Sequence, residues 1–281
     1  HEDKTPSMQI YPKTNTYCCF SSNCSAGTGD VIDFIQLKEQ SSKHQAILKA
    51  KHLCGRTDVA RHVSSGIAAP TRNGMINRFW ESCREGIKRS KKAQAYLKER
   101  GLEGREAGYC SENALRNWSA ELQQAARACG LLNAKGRPHF QHCVVFPLRN
   151  AQGEVVSVYG RGVNDKRHVY LPGAHQGLYP AFPNQETETL ILTESVIDAA
   201  SLLPHTEHSV LALYGTNGLT ADHEKAIKSL PKLQEIILFF DGDAAGRTAI
   251  EKLAPQLQEL KQGLKISHIN TPEGQDPNSL L

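Results

Sequence analysis

No apolar run in this sequence approaches the roughly 18 residues that a membrane-spanning helix needs. Its first residues, HEDKTPSM, lack the apolar middle of a secretory leader. Membrane-embedded and exported classes are thereby set aside, and the cytoplasm is the expected location. The sequence also lacks any internal repeat or low-complexity tract, so repeat architectures are not expected. Cysteine is not scarce: there are eight in 281 residues. A chain this long has no need of the disulfide framework of small secreted domains. Cys54, Cys83, Cys110, Cys129 and Cys143 stand isolated and read as ordinary thiols.

What is present is a chain long enough for about two domains, with the 39% hydrophobic and 22% charged residues of an ordinary globular protein. The net charge of +4 conceals a division. Residues 186–281 carry seven Lys/Arg against fourteen Asp/Glu, whereas the first 185 carry 26 against 15. One part is suited to hold a polyanion, and the other concentrates carboxylates.

Four stretches separate along the chain. Residues 1–54 contain short β-like runs at 8–11 and 16–20, then helical spacing in VIDFIQLKEQ and HQAILKAKHL. Residues 55–75 have no apolar period, are rich in Gly, Ser, Ala and Pro, and read as a linker. Residues 76–183 are basic, with predicted helices in SKKAQAYLKERGL and SENALRNWSAELQQAARACGLL. A β-hairpin follows, joined through Ala151-Gln152-Gly153. Residues 184–281 alternate strands (190–193, 209–214, 235–240, 265–269) with helices (195–203, 223–230, 244–260). The expectation is a multi-domain α/β protein: a small N-terminal module, an α+β basic subdomain, and an α/β domain with a mostly parallel sheet and helices on both faces.

Function in such sheets gathers at the carboxyl ends of the strands. Glu194 follows LILT, Asp241 and Asp243 follow IILFF, and Asp276 follows the last strand, with Asp198 four residues after Glu194 on the first turns of a helix. Each could be a turn former or N-cap. As a set they repel one another unless a hard divalent cation lies between them. The segments LILTESVIDAASLL, ALYGTNGLT and LFFDGDAAGRTAIEKL resemble the TOPRIM signature, most closely that of bacterial (DnaG-like) primases. The resemblance implies catalysis by Glu194, Asp198, Asp241, Asp243 and Asp276, with Mg²⁺ or Mn²⁺ on Glu194, Asp241, Asp243 and Asp276. One position departs: primases commonly carry a second acid after the late Asp-Pro, and here it is Asn278.

The segment from His139 to Gly173 and the earlier AQAYLKERGL also resemble the primase core. This implies contacts to template or nucleotide phosphates by Arg149, Arg161, Lys166, Arg167 and Tyr170. Near the start, HEDKTPS, CFSSNC and Gly29-Asp30-Val31-Ile32 resemble the CHC2 zinc-binding domain of these enzymes. The resemblance implies structural zinc on His1, Cys19 and Cys24, with a further Cys expected just before residue 1. It also implies template contacts by Lys4 and Lys13 and stacking by Tyr11 or Tyr17.

The function implied is primer synthesis from nucleoside triphosphates on single-stranded DNA, in a host, phage or mobile element. A replicative helicase would lie on another chain or on a longer parent. A TOPRIM nuclease, or a degenerate protein that only binds single-stranded nucleic acid, remains the alternative.

Overall fold

The computed structural model describes residues 7–12, 15–21, 26–41, 43–53 and 71–281. The chain divides into two compact units, His1–Ile67 and Ala68–Leu281.

In the first unit, β1 (Met8–Tyr11), β2 (Thr16–Cys19) and β3 (Thr28–Asp30) form an antiparallel sheet, followed by α1 (Val31–Glu39) and α2 (Lys43–Leu53). Asp30 starts α1 through a capping box with Asp33, which satisfies two backbone donors at once. Strand alternation puts Tyr17 and Cys19 inside. Tyr17, expected as an exposed stacking residue, is instead buried, with its ring edge-on to Phe34 at 5.5 Å. Tyr11 is exposed. His1, Lys4, Lys13, Cys24 and linker residues 55–70 lie outside the described residues.

The second unit begins with α3 (Arg72–Arg89), capped by Thr71. The helix thus starts inside the last residues of the stretch that composition assigns to a linker. Next come α4 (Lys91–Glu99), β4 (Gly108–Cys110) and α5 (Ala120–Ala128). Only the second half of SENALRNWSAELQQAARACGLL is helix. Ser119 caps α5 by accepting from Leu122 N, and the residues before it form turns. Strands β5 (Cys143–Arg149), β6 (Val155–Gly162) and β7 (His168–Tyr170) complete an antiparallel sheet in the order β4-β5-β6-β7. Met75, Phe79 and Cys83 of α3 cover one face of this sheet against Phe140, Val145 and Val158.

The remainder follows the expected alternation: β8 (Thr189–Thr193), α6 (Val196–Leu202), β9 (Ser209–Ala212), α7 (Ala221–Ser229), β10 (Glu235–Phe239), α8 (Ala244–Leu260), β11 (Lys265–His268) and the short α9 (Pro277–Leu280). The sheet is wholly parallel, in the order β11-β10-β8-β9. α7 and α8 pack on one face through Ala226, Ile227, Leu253 and Leu257. The other face (Ile191, Val210, Phe239) shares a core with α6, with Leu97 of α4 and with Val144, Phe146 and Tyr159 of the antiparallel sheet. Backbone bridges Arg149–Leu178 and Tyr179–Ala212 link the two sheets.

The seam of α3 on β4 has no spare room. A Cβ on Gly86 would lie 2.2 Å from the Tyr109 carbonyl oxygen. Ala in a helix interior normally stabilises by about 1 kcal/mol over Gly. Forcing α3 off β4 should cost about 1–3 kcal/mol, so the overpacking wins. We expect Gly86→Ala to lower the urea midpoint, a result opposite in sign to the helix-propensity effect.

Candidate active site

The strand order changes direction between β8 and β10, because β9 lies beyond one and β11 beyond the other. That switch point opens a crevice at the carboxyl ends of the strands. Glu194 leaves β8 into it and Asp241 leaves β10. The backbone N–H of Asp241 donates to Glu194 Oε1 at 3.2 Å. Glu194 is not on the helix: Ser195 is the N-cap of α6, and Asp198 occupies the helix's first turn. The Ser195 hydroxyl donates to Asp198 Oδ2 at 2.6 Å, and Asp198 is buried.

Two glycines make the cluster close enough to matter, and neither is needed for a left-handed φ. A Cβ on Gly242 would meet the Pro272 carbonyl oxygen at 2.0 Å, and one on Gly246 the Asp241 carbonyl oxygen at 2.2 Å. The 271–276 loop therefore lies flush on the turn after β10, tied by Gly242 N–H to Gln275 O at 2.9 Å. This brings Asp276 beside Asp241. Gly215 does use positive φ (86°), and its N–H reaches Glu194 O at 3.0 Å.

Asp243 and Asp276 are also helix N-caps, each accepting a backbone N–H at 2.7 Å on Oδ1, from Gly246 and Ser279 respectively. The capping and cluster readings of these two residues therefore hold together. Asp243 is exposed at the edge, while Glu194, Asp198, Asp241 and Asp276 line one cleft of about 340 Å³. Burial, then the neighbouring Asp241, pushes Glu194 up to about 7. Burial, opposed by the Ser195 hydrogen bond and reinforced by Asp241 and Asp276, pushes Asp198 up to about 7. Burial, Asp276 and Asp243 push Asp241 up to about 6.

The facing wall comes from the basic subdomain: Arg100, Arg161, His168 and Tyr170. Arg161 Nη1 donates to Lys166 O at 2.9 Å. Burial and the two guanidinium groups push His168 down to about 4, so it is neutral at physiological pH. Tyr170 packs on Tyr214 with ring centroids 4.8 Å apart. Arg149 is not in the cleft; it pairs with Glu106 at 2.8 Å. Arg167 pairs with Asp165 at 2.8 Å and borders a separate groove with His139 and His142. Arg100 and Tyr214 were missed among the sequence candidates. Their signal was their place directly before Gly101 and Gly215, both with positive φ.

A divalent cation fits this donor set. Asp241 Oδ1 is buried with no hydrogen-bond partner among the described residues, an arrangement that costs free energy unless a cation or proton satisfies it. No three His, Cys, Asp or Glu side chains among the described residues close into a cage. An open rim suits Mg²⁺, which keeps several waters and shares substrate phosphates with one or two carboxylates.

The pH dependence follows from the raised carboxyls. Below about pH 4, Asp241 is protonated folded and unfolded, and its burial carries no penalty. As pH rises through its folded value of about 6, the unfolded state sheds its proton more readily and stability falls. Asp241 is half-buried, so solvent screens part of this cost. We expect Asp241→Asn to raise the stability of the metal-free chain by about 1 kcal/mol at pH 8 and by nothing resolvable at pH 4. Urea titrations at the two pH values would check this.

Comparison with known proteins agrees with this geometry. The CHC2 zinc finger family matches residues 1–64 and the Toprim-like family residues 191–281. The DNA primase of Pseudomonas aeruginosa is 30% identical over 322 aligned residues, which take in 100% of this chain and 47% of that protein. The chain thus spans about half the length of the curated relatives it matches. The crystal structure of the Aquifex aeolicus primase (zinc-binding and RNA polymerase domains) superposes with a TM-score of 0.63 at 23% identity, covering 100% of this chain and 73% of that one. A DnaG primase catalytic domain solved with single-stranded DNA gives 0.61 at 22%, covering 74% of this chain and 76% of that one. With a zinc-ribbon segment at its start, a Toprim-like segment at its end and primases matching along its length, the chain is similar to DnaG-like primases throughout.

Proposed function

We propose that this chain makes short RNA primers on a single-stranded DNA template from nucleoside triphosphates, as a DNA-directed RNA polymerase of the primase type. One observation carries the reading: Glu194, Asp198, Asp241 and Asp276 face Arg100 and Arg161 across one cleft, and Asp241 holds a buried, unpartnered oxygen there. That is an acidic rim for cations opposite a basic wall for phosphates. The first unit reads the template. His1, Cys19 and Cys24 are the residues that would hold its zinc, Lys4 is the one that would meet the template, and the setting is the cytoplasm.

Asp241, Asp276 and Asp243 are the residues to hold Mg²⁺ or Mn²⁺, with Asp243 and Asp276 using the oxygen not engaged in capping. Bound there, the cation supplies charge neutralisation at the transferring phosphoryl group. Glu194, held near neutrality, is matched to take the proton of the attacking 3′-hydroxyl. Asp198 stays buried against Ser195 and fixes the start of α6. Arg100 and Arg161 clamp triphosphate oxygens. Lys166 and Tyr170 extend the same wall toward the template, whereas Arg149 and Arg167, each already paired, serve the structure of the subdomain. The nuclease and binding-only alternatives are not favoured, since primases match the chain along its whole length.

The test is primer synthesis from the four ribonucleoside triphosphates on single-stranded DNA with Mg²⁺ or Mn²⁺. We expect Asp243→Ala to reduce synthesis by about a thousandfold, the scale of removing one electrostatic element from such a site, while DNA affinity stays within about twofold. Loss of DNA binding with residual synthesis would overturn the assignment. Single-stranded DNA affinity should also fall with salt by about 0.7 log units per log unit for each phosphate contact. Removing Arg161 and Lys166 together should lower that slope for all template sequences alike.

A further inference from the structure

Asn278 stands where the primase pattern has an acid, and its surroundings account for the amide. Its Nδ2 donates to the Arg100 carbonyl oxygen at 2.8 Å and to Ser201 Oγ at 2.6 Å, and its Oδ1 accepts from Arg100 Nη1 at 2.9 Å. Chemistry fixes this orientation, because a carbonyl oxygen only accepts and a guanidinium only donates. Ser201 is buried, and its own proton goes to Ile197 O at 2.9 Å. A carboxylate at 278 would therefore set an anionic oxygen against the Arg100 carbonyl, and could keep Ser201 only by drawing its proton away from Ile197 O. It would also neutralise Arg100, which makes no ion pair among the described residues and otherwise lies near the Tyr96 ring, 5.8 Å from its centroid.

We propose that Asn278 is a positioning residue and not a metal ligand: it holds the Arg100 guanidinium at the cleft with its charge uncompensated, ready for the phosphates of a nucleoside triphosphate. This rests on the primase reading above. The amide does two things at once. It closes the carbonyl of Arg100, the C-cap of α4, and it ties that helix end to α6 and α9 of the parallel-sheet part. A carboxylate cannot donate to that carbonyl, and any tie it made to Arg100 would compensate the cation.

Asn278→Asp and Asn278→Ala in the full chain separate this role from metal ligation by two readouts that need no turnover. Free Mn²⁺ is followed by electron paramagnetic resonance. A fluorescent triphosphate with an α,β-methylene link is followed by anisotropy at saturating Mn²⁺. We expect Asn278→Asp to weaken nucleotide binding about tenfold, the loss of one charge-assisted hydrogen bond, with Mn²⁺ affinity within about twofold of the parent. Asn278→Ala, which keeps the charge of Arg100 but releases it, should weaken nucleotide binding about threefold. In synthesis the change should fall on the KM for nucleotide rather than on kcat. If Asn278→Asp tightens Mn²⁺ binding while nucleotide affinity holds, the position is a ligand site and the proposal fails. If Asn278→Asp does not fold, Asn278→Ala decides: unchanged nucleotide binding overturns the proposal. A parent chain that takes up Mn²⁺ but no nucleotide would overturn the primase reading and this inference together. A parent that binds nucleotide, with both variants undiminished, would overturn this inference alone.

Discussion

Bringing several carboxylates to one crevice without a resident positive charge is the constraint around which the second unit is built. Burial and mutual repulsion raise Glu194, Asp198 and Asp241 together, so the metal-free site opposes folding at neutral pH. The scaffold that offsets this is the parallel sheet, apolar on both faces. Its strand ends cannot drift apart, since each strand is hydrogen-bonded to its neighbours in fixed register. Gly242 and Gly246 then let the neighbouring backbone approach to distances that a methyl group would forbid. The rigidity is directed at one outcome: carboxylates held closer than they would choose, for which cation binding is the favourable release.

Much of this was legible in the sequence because the two periodicities are clean there. The strand–helix alternation from β8 to β11 falls within a residue or two of the elements expected, and α8 coincides with the expected 244–260. Strand ends identify Glu194 and Asp241 without further information, because a parallel sheet places its chemistry at that edge. Packing, by contrast, is not written in local pattern. Tyr17 reads as a stacking residue in the sequence and becomes core because Phe34 of α1 lies edge-on against its ring. SENALRNW has helical spacing, but Ser119 offers a better start. Arg149 and Arg161 look alike in sequence, and only the approach of Glu106, 43 residues away, takes Arg149 out of the candidate set.

The charge division along the chain acquires a spatial meaning within the second unit. Arg100 and Arg161 come from the basic stretch and the carboxylates from the acidic one, and the two surfaces meet across the same cleft. A single-signed site would attract only half of what a polymerising enzyme needs: cations alone, or phosphates alone. Building the two walls from different stretches also makes their alignment depend on the contact between subdomains. That contact is mostly apolar, through Leu97, Phe146, Ile197 and Val210, and sets distance more than angle. The hydrogen bonds of Asn278 to Arg100 and Ser201 supply the directional part.

The same arithmetic of charge implies an order of events. Four carboxylates line the cleft against two guanidinium groups, so once the acids ionise the empty site is net negative and repels a triphosphate. On the proposed function, a triphosphate would enter only with cations that accompany or precede it. The two arginines do not reverse that sign; their proposed part is to fix where phosphates lie once it has been reversed. A neutral residue at 278 matters for this reason. Arg100 and Arg161 are the two guanidinium groups lining the cleft, and pairing either internally would halve their charge while adding one more anion to an already acidic rim. The departure of this chain from the acidic pattern at that position thus preserves the balance between its two walls.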